Sequence, residues 1–267
     1  MSDKVVYLPS FTRNLGALYF MERLSSPRSS MERMNQDLQV FKFGGASLNS
    51  VERIQNVGNI LREMKGQPLV VVVSAMGKTT NELEKIVLAH AAQNGEAQAL
   101  FDVFKQKCFE TCLGLFDENH EVFVSLNDAL VEIEWGLEEE PHENFDYAYD
   151  QIVSVGEIVS SIIVHAYLNE QGLPTQWLDA RDVILTDNIY REGWVQWNET
   201  QENANRIVKP MLSTESFVIT QGFIGTTTEN FTTTLGREGS DYTAAIFSYC
   251  LDAKSMTIWK DVPGVLT

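Results

Sequence analysis

From residue 40 onward, the chain alternates short continuous apolar runs with longer stretches of helical period. Residues 40–43 read as a strand, and the turn Gly44-Gly45-Ala46-Ser47 follows at once. Ser50 is placed to cap a helix on which Val51, Ile54, Val57, Leu61 and Met64 share one face. Lys65-Gly66 ends that helix. Leu69, Val70, Val71, Val72 and Val73 form an unbroken apolar run, the pattern of a strand buried on both faces. A polar loop, 74–80, leads to a helix over 81–92. Residues 155–169 form an apolar helix closed by Gly172, and 176–178 a short strand. Residues 217–223 and 256–259 are two further strands, the first running into a Thr-rich loop, 226–234. Beyond Ser240, the positions Ala244, Phe247, Cys250 and Leu251 recur at helical spacing.

Strands alternating with helices predict an α/β fold, an open and mostly parallel sheet covered by helices on both sides. Ligands of such sheets bind beyond the carboxyl ends of the strands, and the polar loops named above all fall at strand ends. Residues 1–36 differ. They hold Pro9, Pro27 and the serines Ser25, Ser26, Ser29 and Ser30, with no sustained periodicity. They read as an extension, either a mobile arm or an artefact of start-codon choice. Leu15, Leu18, Tyr19 and Phe20 leave room for a short docking helix within it.

Composition narrows the function. At 267 residues and 44% hydrophobic content the chain can bury a sizeable core. A net charge of −17 argues against nucleic acid or an anionic membrane as partner. Twelve of the 37 acidic residues lie between Asp117 and Asp150, where there is no Lys or Arg. That run reads as a solvated helical face or lid. Cys108 and Cys112 sit four apart in a helical stretch and Cys250 lies far away, so neither a disulfide framework nor a metal site is expected. The histidines (His90, His120, His142, His165) are scattered. With no signal peptide and no apolar run of membrane-spanning length, a cytoplasmic location is the expectation.

Two loops carry the chemistry. Lys42 ends a buried strand, where a charge needs an anionic partner, and Gly44-Gly45 lets backbone N–H groups approach a phosphate closely. In the second, Arg237 stands between Gly236 and Gly239, and Ser240-Asp241 opens a helix. Arginine is a forked, permanent cation suited to a carboxylate or phosphate. Ser240 is a good helix N-cap, and Asp241 in the first turn favours the positive end of the helix dipole. The bland alternatives are a loop-to-helix junction at Arg237, an ordinary helix start at Glu157 and a turn former at Asp261.

Taken together these motifs resemble those of aspartokinases, within the amino-acid kinase family. The resemblance rests on Lys42-Phe43-Gly44-Gly45-Ala46-Ser47, the 74–81 loop, Val155-Gly156-Glu157, Gly222-Phe223-Ile224-Gly225, residues 235–243 and 259–264, all in family order. It implies a three-layer α/β/α sandwich over residues 37–267 and transfer of phosphate from MgATP to the β-carboxylate of L-aspartate. That is the first step toward lysine, threonine and methionine. By position, Lys42, Gly44, Gly45 and Ser47 would face the ATP phosphates, with Lys260, Asp261 and Leu266 bordering the nucleotide. Thr80, Glu157, Arg237, Ser240 and Asp241 would line the aspartate pocket. Lys42, Arg237 and Asp241 would be catalytic, and no protein ligand for Mg²⁺ is implied. A homodimer is the family's implication for assembly.

The sequence departs from the pattern at Glu238, where many relatives have a small or neutral residue, and at Lys260 and Leu266, where they often have Thr and Tyr. Relatives continue past Thr267 and usually carry regulatory ACT domains, so the expectation is a catalytic domain cut short, with poor turnover. Another carboxylate or phosphate acceptor on the same fold, or a binding module without full activity, stays open as an alternative.

Overall fold

The computed structural model describes residues 3–7, 37–212 and 216–260, the first of these as backbone alone. In chain order its elements are β1 (Asp3–Tyr7), β2 (Gln39–Phe43), α1 (Val51–Arg62), β3 (Leu69–Val73), α2 (Thr79–Ala91) and α3 (Ala97–Leu113). Then come α4 (Val122–Glu138), α5 (Phe145–Val153), α6 (Val155–Glu170), β4 (Thr175–Leu178) and α7 (Trp197–Asn203), the last running on through a π-helical turn to Leu212. The chain closes with β5 (Phe217–Gln221), β6 (Ile224–Thr226), β7 (Thr232–Thr234), α8 (Gly239–Cys250) and β8 (Ser255–Lys260).

The main sheet has the order β1-β8-β2-β3-β5-β4. Its last five strands are parallel and β1 adds an antiparallel edge. As the apolar run predicts, β3 is central, and each of its five residues is 0% exposed. Helix α6 packs on β3, β4 and β5, and α8 on β2, β3 and β8, while α2 to α5 form a helical layer outside α6. Ser50 does cap α1, its side chain accepting from the N–H of Arg53 at 3.3 Å. A buried polar network ties α6 to the sheet: Gln221 donates to Ser161 Oγ at 2.7 Å, as does the indole of Trp177 at 2.8 Å. Buried donors and acceptors of this kind are tolerated because they are paired.

Register decides where the site lies. Phe43 is level with Val73 and with Trp259, and Val73 is level with Gln221. Four neighbouring strands therefore release their chains at one edge, at Gly44, Ser74, Gly222 and Lys260. Two close approaches lock those loops together. A Cβ on Gly45 would lie 2.6 Å from the Ala75 carbonyl oxygen, and one on Gly222 would lie 2.4 Å from Ser240 Cβ.

Some expectations need correcting. The Thr-rich stretch is only in part a loop: β6 and β7 pair as an antiparallel hairpin about a turn at 227–231, with Thr233 and Thr234 fully buried. Threonine is β-branched and fits a pleated surface, and Thr186 Oγ1 meets Thr233 Oγ1 at 2.7 Å. Within the acidic run Asp150 is not solvated but 0% exposed. The segment Phe145–Glu170 is long and apolar enough to cross a membrane by composition, yet 78% of its most apolar window is packed inside the protein, as a core helix would be. The expectations for residues 8–36 lie outside the described residues.

Gly222→Ala should push α8 away from the strand ends and destabilise the fold by about 1–3 kcal/mol, the usual scale of overpacking. An unchanged urea unfolding midpoint would show that this contact has slack.

Candidate active site

Lys42 is only 5% exposed at the end of β2, and a charge so placed requires a counter-charge. Asp241, in the first turn of α8, provides it: one carboxylate oxygen lies 2.6 Å from Lys42 Nζ and the other 2.9 Å from Lys260 Nζ. Burial pushes the Asp241 carboxyl up, but the hydrogen bonds and charges of Lys42 and Lys260 outweigh it and hold the pKa below the ordinary value. The hydrogen bond that Lys260 donates to Asp241 in turn raises the pKa of Lys260. Lys260 also faces Glu238 Oε2 at 3.6 Å. The result is a chain of alternating charges, Lys42, Asp241, Lys260, Glu238.

Glu157 is the opposite case. It begins α6, where its Oε1 accepts from the N–H of Ala75 at 3.3 Å, while Oε2 is buried without a partner. Burial pushes the pKa up to about 8, against the opposing pull of the Ala75 and Glu157 N–H groups and the Lys42 charge. Near neutrality this carboxyl is therefore largely protonated, and a cation brought to it would draw the proton off.

Lys42 and Glu157 open onto one cleft of about 770 Å³, which Gly45, Thr80, Arg237 and Ser240 also help to line. Arg237 is exposed on its wall, and no carboxylate among the described residues pairs with it. One end of the cleft thus offers an anion site, another a buried acceptor for a cation.

A model of the Amino acid kinase family matches residues 37–267. The chain belongs to the amino acid kinase family. It is 32% identical to the lysine-sensitive aspartokinase 3 of Escherichia coli over 231 residues, covering 86% of this chain and 50% of that protein. It is 30% identical to the chloroplastic bifunctional aspartokinase/homoserine dehydrogenase of Daucus carota, covering 92% of this chain and 26% of the relative. The crystal structure of E. coli aspartokinase III in complex with aspartate and ADP, described as its R-state, superposes with a TM-score of 0.78 at 31% identity, over 85% of this chain and 50% of that one. The chain thus spans from about a quarter to a half of the length of these relatives.

In this amino acid kinase the expected residues do converge, with differences. Gly44 sits beside Lys42: a Cβ there would lie 3.7 Å from Lys42 Nζ. Ser47 is buried in a short 3-10 turn behind the cleft, its N–H bonded to the Gly44 carbonyl at 2.9 Å. Asp241 stands behind the lysines as their shared counter-ion. Ser240 is not the N-cap. That position belongs to Glu238, a non-glycine residue in the left-handed region at φ 55°, and Ser240 is already inside the helix, buried against Gly222. Asp261 and Leu266 lie outside the described residues.

Asp150, beside the cleft, and Tyr149 and Arg191, which line it, were not singled out from sequence. Asp150 accepts from Thr234 Oγ1 at 2.7 Å and from the N–H groups of Thr234 and Arg191, both at 2.8 Å. Burial pushes its carboxyl up to about 6, with those same bonds pulling it down. It ties β7 to the loop carrying Arg191, whose guanidinium lies 4.3 Å above the Tyr149 ring. Tyr149, Arg191 and Phe223 all line the cleft. The helical spacing of Tyr149, Ile152 and Val153 was the available sign that Asp150 faces inward.

Because Glu157 binds its proton more tightly folded than unfolded, it contributes stability that is full below about pH 4.5 and lost as pH rises through about 8. Glu157→Gln should remove that decline. Thermal midpoints measured from pH 4.5 to 8.5 that fall equally in both proteins would place the titrating group elsewhere.

Proposed function

We propose that this amino acid kinase transfers phosphate from MgATP to the β-carboxylate of L-aspartate, giving 4-phospho-L-aspartate, the first step toward lysine, threonine and methionine. The observation that carries the reading is the pairing, in one cleft, of the unpartnered Glu157 Oε2 with the unpaired Arg237 guanidinium. A zwitterionic acid has the complementary charges: its ammonium for Glu157, a carboxylate for the forked donors of Arg237. The related E. coli aspartokinase III was solved with aspartate and ADP.

The residues present also fit a nucleotide. Gly44 leaves room beside Lys42, the Lys42 and Lys260 ammonium groups lie on either side of Asp241, and this corner adjoins the acceptor site. Mg²⁺ would enter with the nucleotide. The metal would neutralise charge on the transferred phosphoryl group.

The chemistry asks little of an acid or base. An aspartate side chain has a pKa of about 3.9 in water and is already a nucleophile at neutral pH. The task is to hold two anions within reach of each other and to stabilise the transferring charge. Arg237 and Glu157 orient the acceptor, Thr80 closes its pocket, and Lys42 faces the phosphoryl group. Asp241 holds both lysine side chains in place.

Titration calorimetry tests this on the chain as it stands. L-Aspartate should bind near pH 7 with release of protons, seen as a heat that varies with the ionisation enthalpy of the buffer, because the ammonium draws the proton off Glu157. Arg237→Ala should weaken that binding roughly 10- to 100-fold, the worth of a charge-assisted pair. Hydroxylamine trapping with MgATP should then yield aspartyl hydroxamate. Failure to bind aspartate, or equal binding by Arg237→Ala, would sink the reading.

A further inference from the structure

Glu238 and Lys260 are the two described positions at which the sequence departs from the aspartokinase pattern, and the fold makes them neighbours. Glu238 is costly where it stands. At φ 55° it occupies backbone space that glycine or asparagine enters more readily, and its side chain makes no capping hydrogen bond to the helix it opens. A residue held in such a conformation points to a role for its side chain. The only charged group that the side chain meets among the described residues is Lys260, at 3.6 Å.

Lys260 is engaged twice, at 2.9 Å by Asp241 and at 3.6 Å by Glu238, and the two bonds differ in kind. Asp241 is mostly buried, is shared with Lys42 and anchors α8. The Glu238 side chain is 64% exposed and the contact is long, so it can leave at little cost. Gly44, Lys42 and Trp259 border the same corner. Here an incoming polyphosphate would compete with Glu238 for the outer face of Lys260.

We propose that Glu238 is a tethered competitor for the phosphate site, a carboxylate that pairs with Lys260 and that a nucleotide polyphosphate must displace. This deepens, and rests on, the nucleotide reading of the cleft. Glu238 sets affinity through Lys260 rather than by touching the reacting atoms, so it is a specificity residue and not a catalytic one.

Calorimetric titration of inorganic tripolyphosphate into the full chain tests it, using wild type, Glu238→Gln, Lys260→Met and the double variant. Glu238→Gln should tighten binding roughly threefold, the scale of one exposed ion pair. Lys260→Met should weaken binding, and in that background Glu238→Gln should change little. Glu238→Gly, which also relieves the backbone, should tighten binding equally and raise the unfolding midpoint, so that misfolding of the Gln variant cannot hide the result. Equal tightening in both Lys260 backgrounds would reveal general repulsion and overturn the proposal. If Lys260→Met weakens binding while Glu238→Gln does not alter it, the proposal falls and the nucleotide reading stands. If no variant binds tripolyphosphate, the nucleotide reading fails and takes the proposal with it.

Discussion

A lysine that ends a strand inside the sheet cannot be left uncompensated, since burying an unpaired charge costs several kcal/mol even after relaxation. Lys42 is such a residue, and much of the site follows from pairing it. Asp241 reaches Lys42 only if the first turn of α8 lies against the end of β2, so the ion pair fixes where the helix begins. That approach excludes any side chain at Gly222, and the chain enters α8 through a left-handed residue at Glu238. Ion pairs of this sort often stabilise a fold no better than well-packed apolar residues of the same volume. Their value here lies in the cleft: the pair holds an ammonium group in place beside Gly44.

How much of this was legible in the sequence depends on whether local chemistry or distant contacts made the decision. The run from Leu69 to Val73 could only be a strand buried on both faces, and Ser50 before an amphipathic stretch could hardly be anything but a cap. Lys42 announced the need for an anion but not which one, because Asp241 is distant in sequence and reads locally as an ordinary first-turn acid. The same locality misled at α8. Ser240 has the chemistry of an N-cap, yet tertiary packing against Gly222 draws it inside the helix and leaves the turn to Glu238. The hairpin of β6 and β7 was hidden because threonine is at once polar and β-branched, and only burial reveals which property rules.

Asp150 teaches a further lesson about charge runs. Counting acids over 117–150 describes the run as solvent-facing, and most of it is. One member turns inward because helical period places it with Tyr149, Ile152 and Val153, and there it gains three donors from Arg191 and Thr234. Net composition sets the average environment of a side chain, and its phase on the helix sets the actual one.

Two carboxyls of the site, one lining the cleft and one behind it, show the same residue class driven in opposite directions. Asp241, between two ammonium groups, is held ionised, whereas Glu157, desolvated and with one oxygen unpartnered, is held protonated toward pH 8. Pairs of titratable groups separated in this way mark places where charge is arranged for a task. Lys42 and Lys260 pair with Asp241 and Glu238, while Arg237 has no carboxylate partner among the described residues. A protein of net charge −17 offers anions no long-range attraction. Selectivity must therefore come from contact, through ligands able to match Arg237 and Glu157 together and to take the place of a weakly held carboxylate.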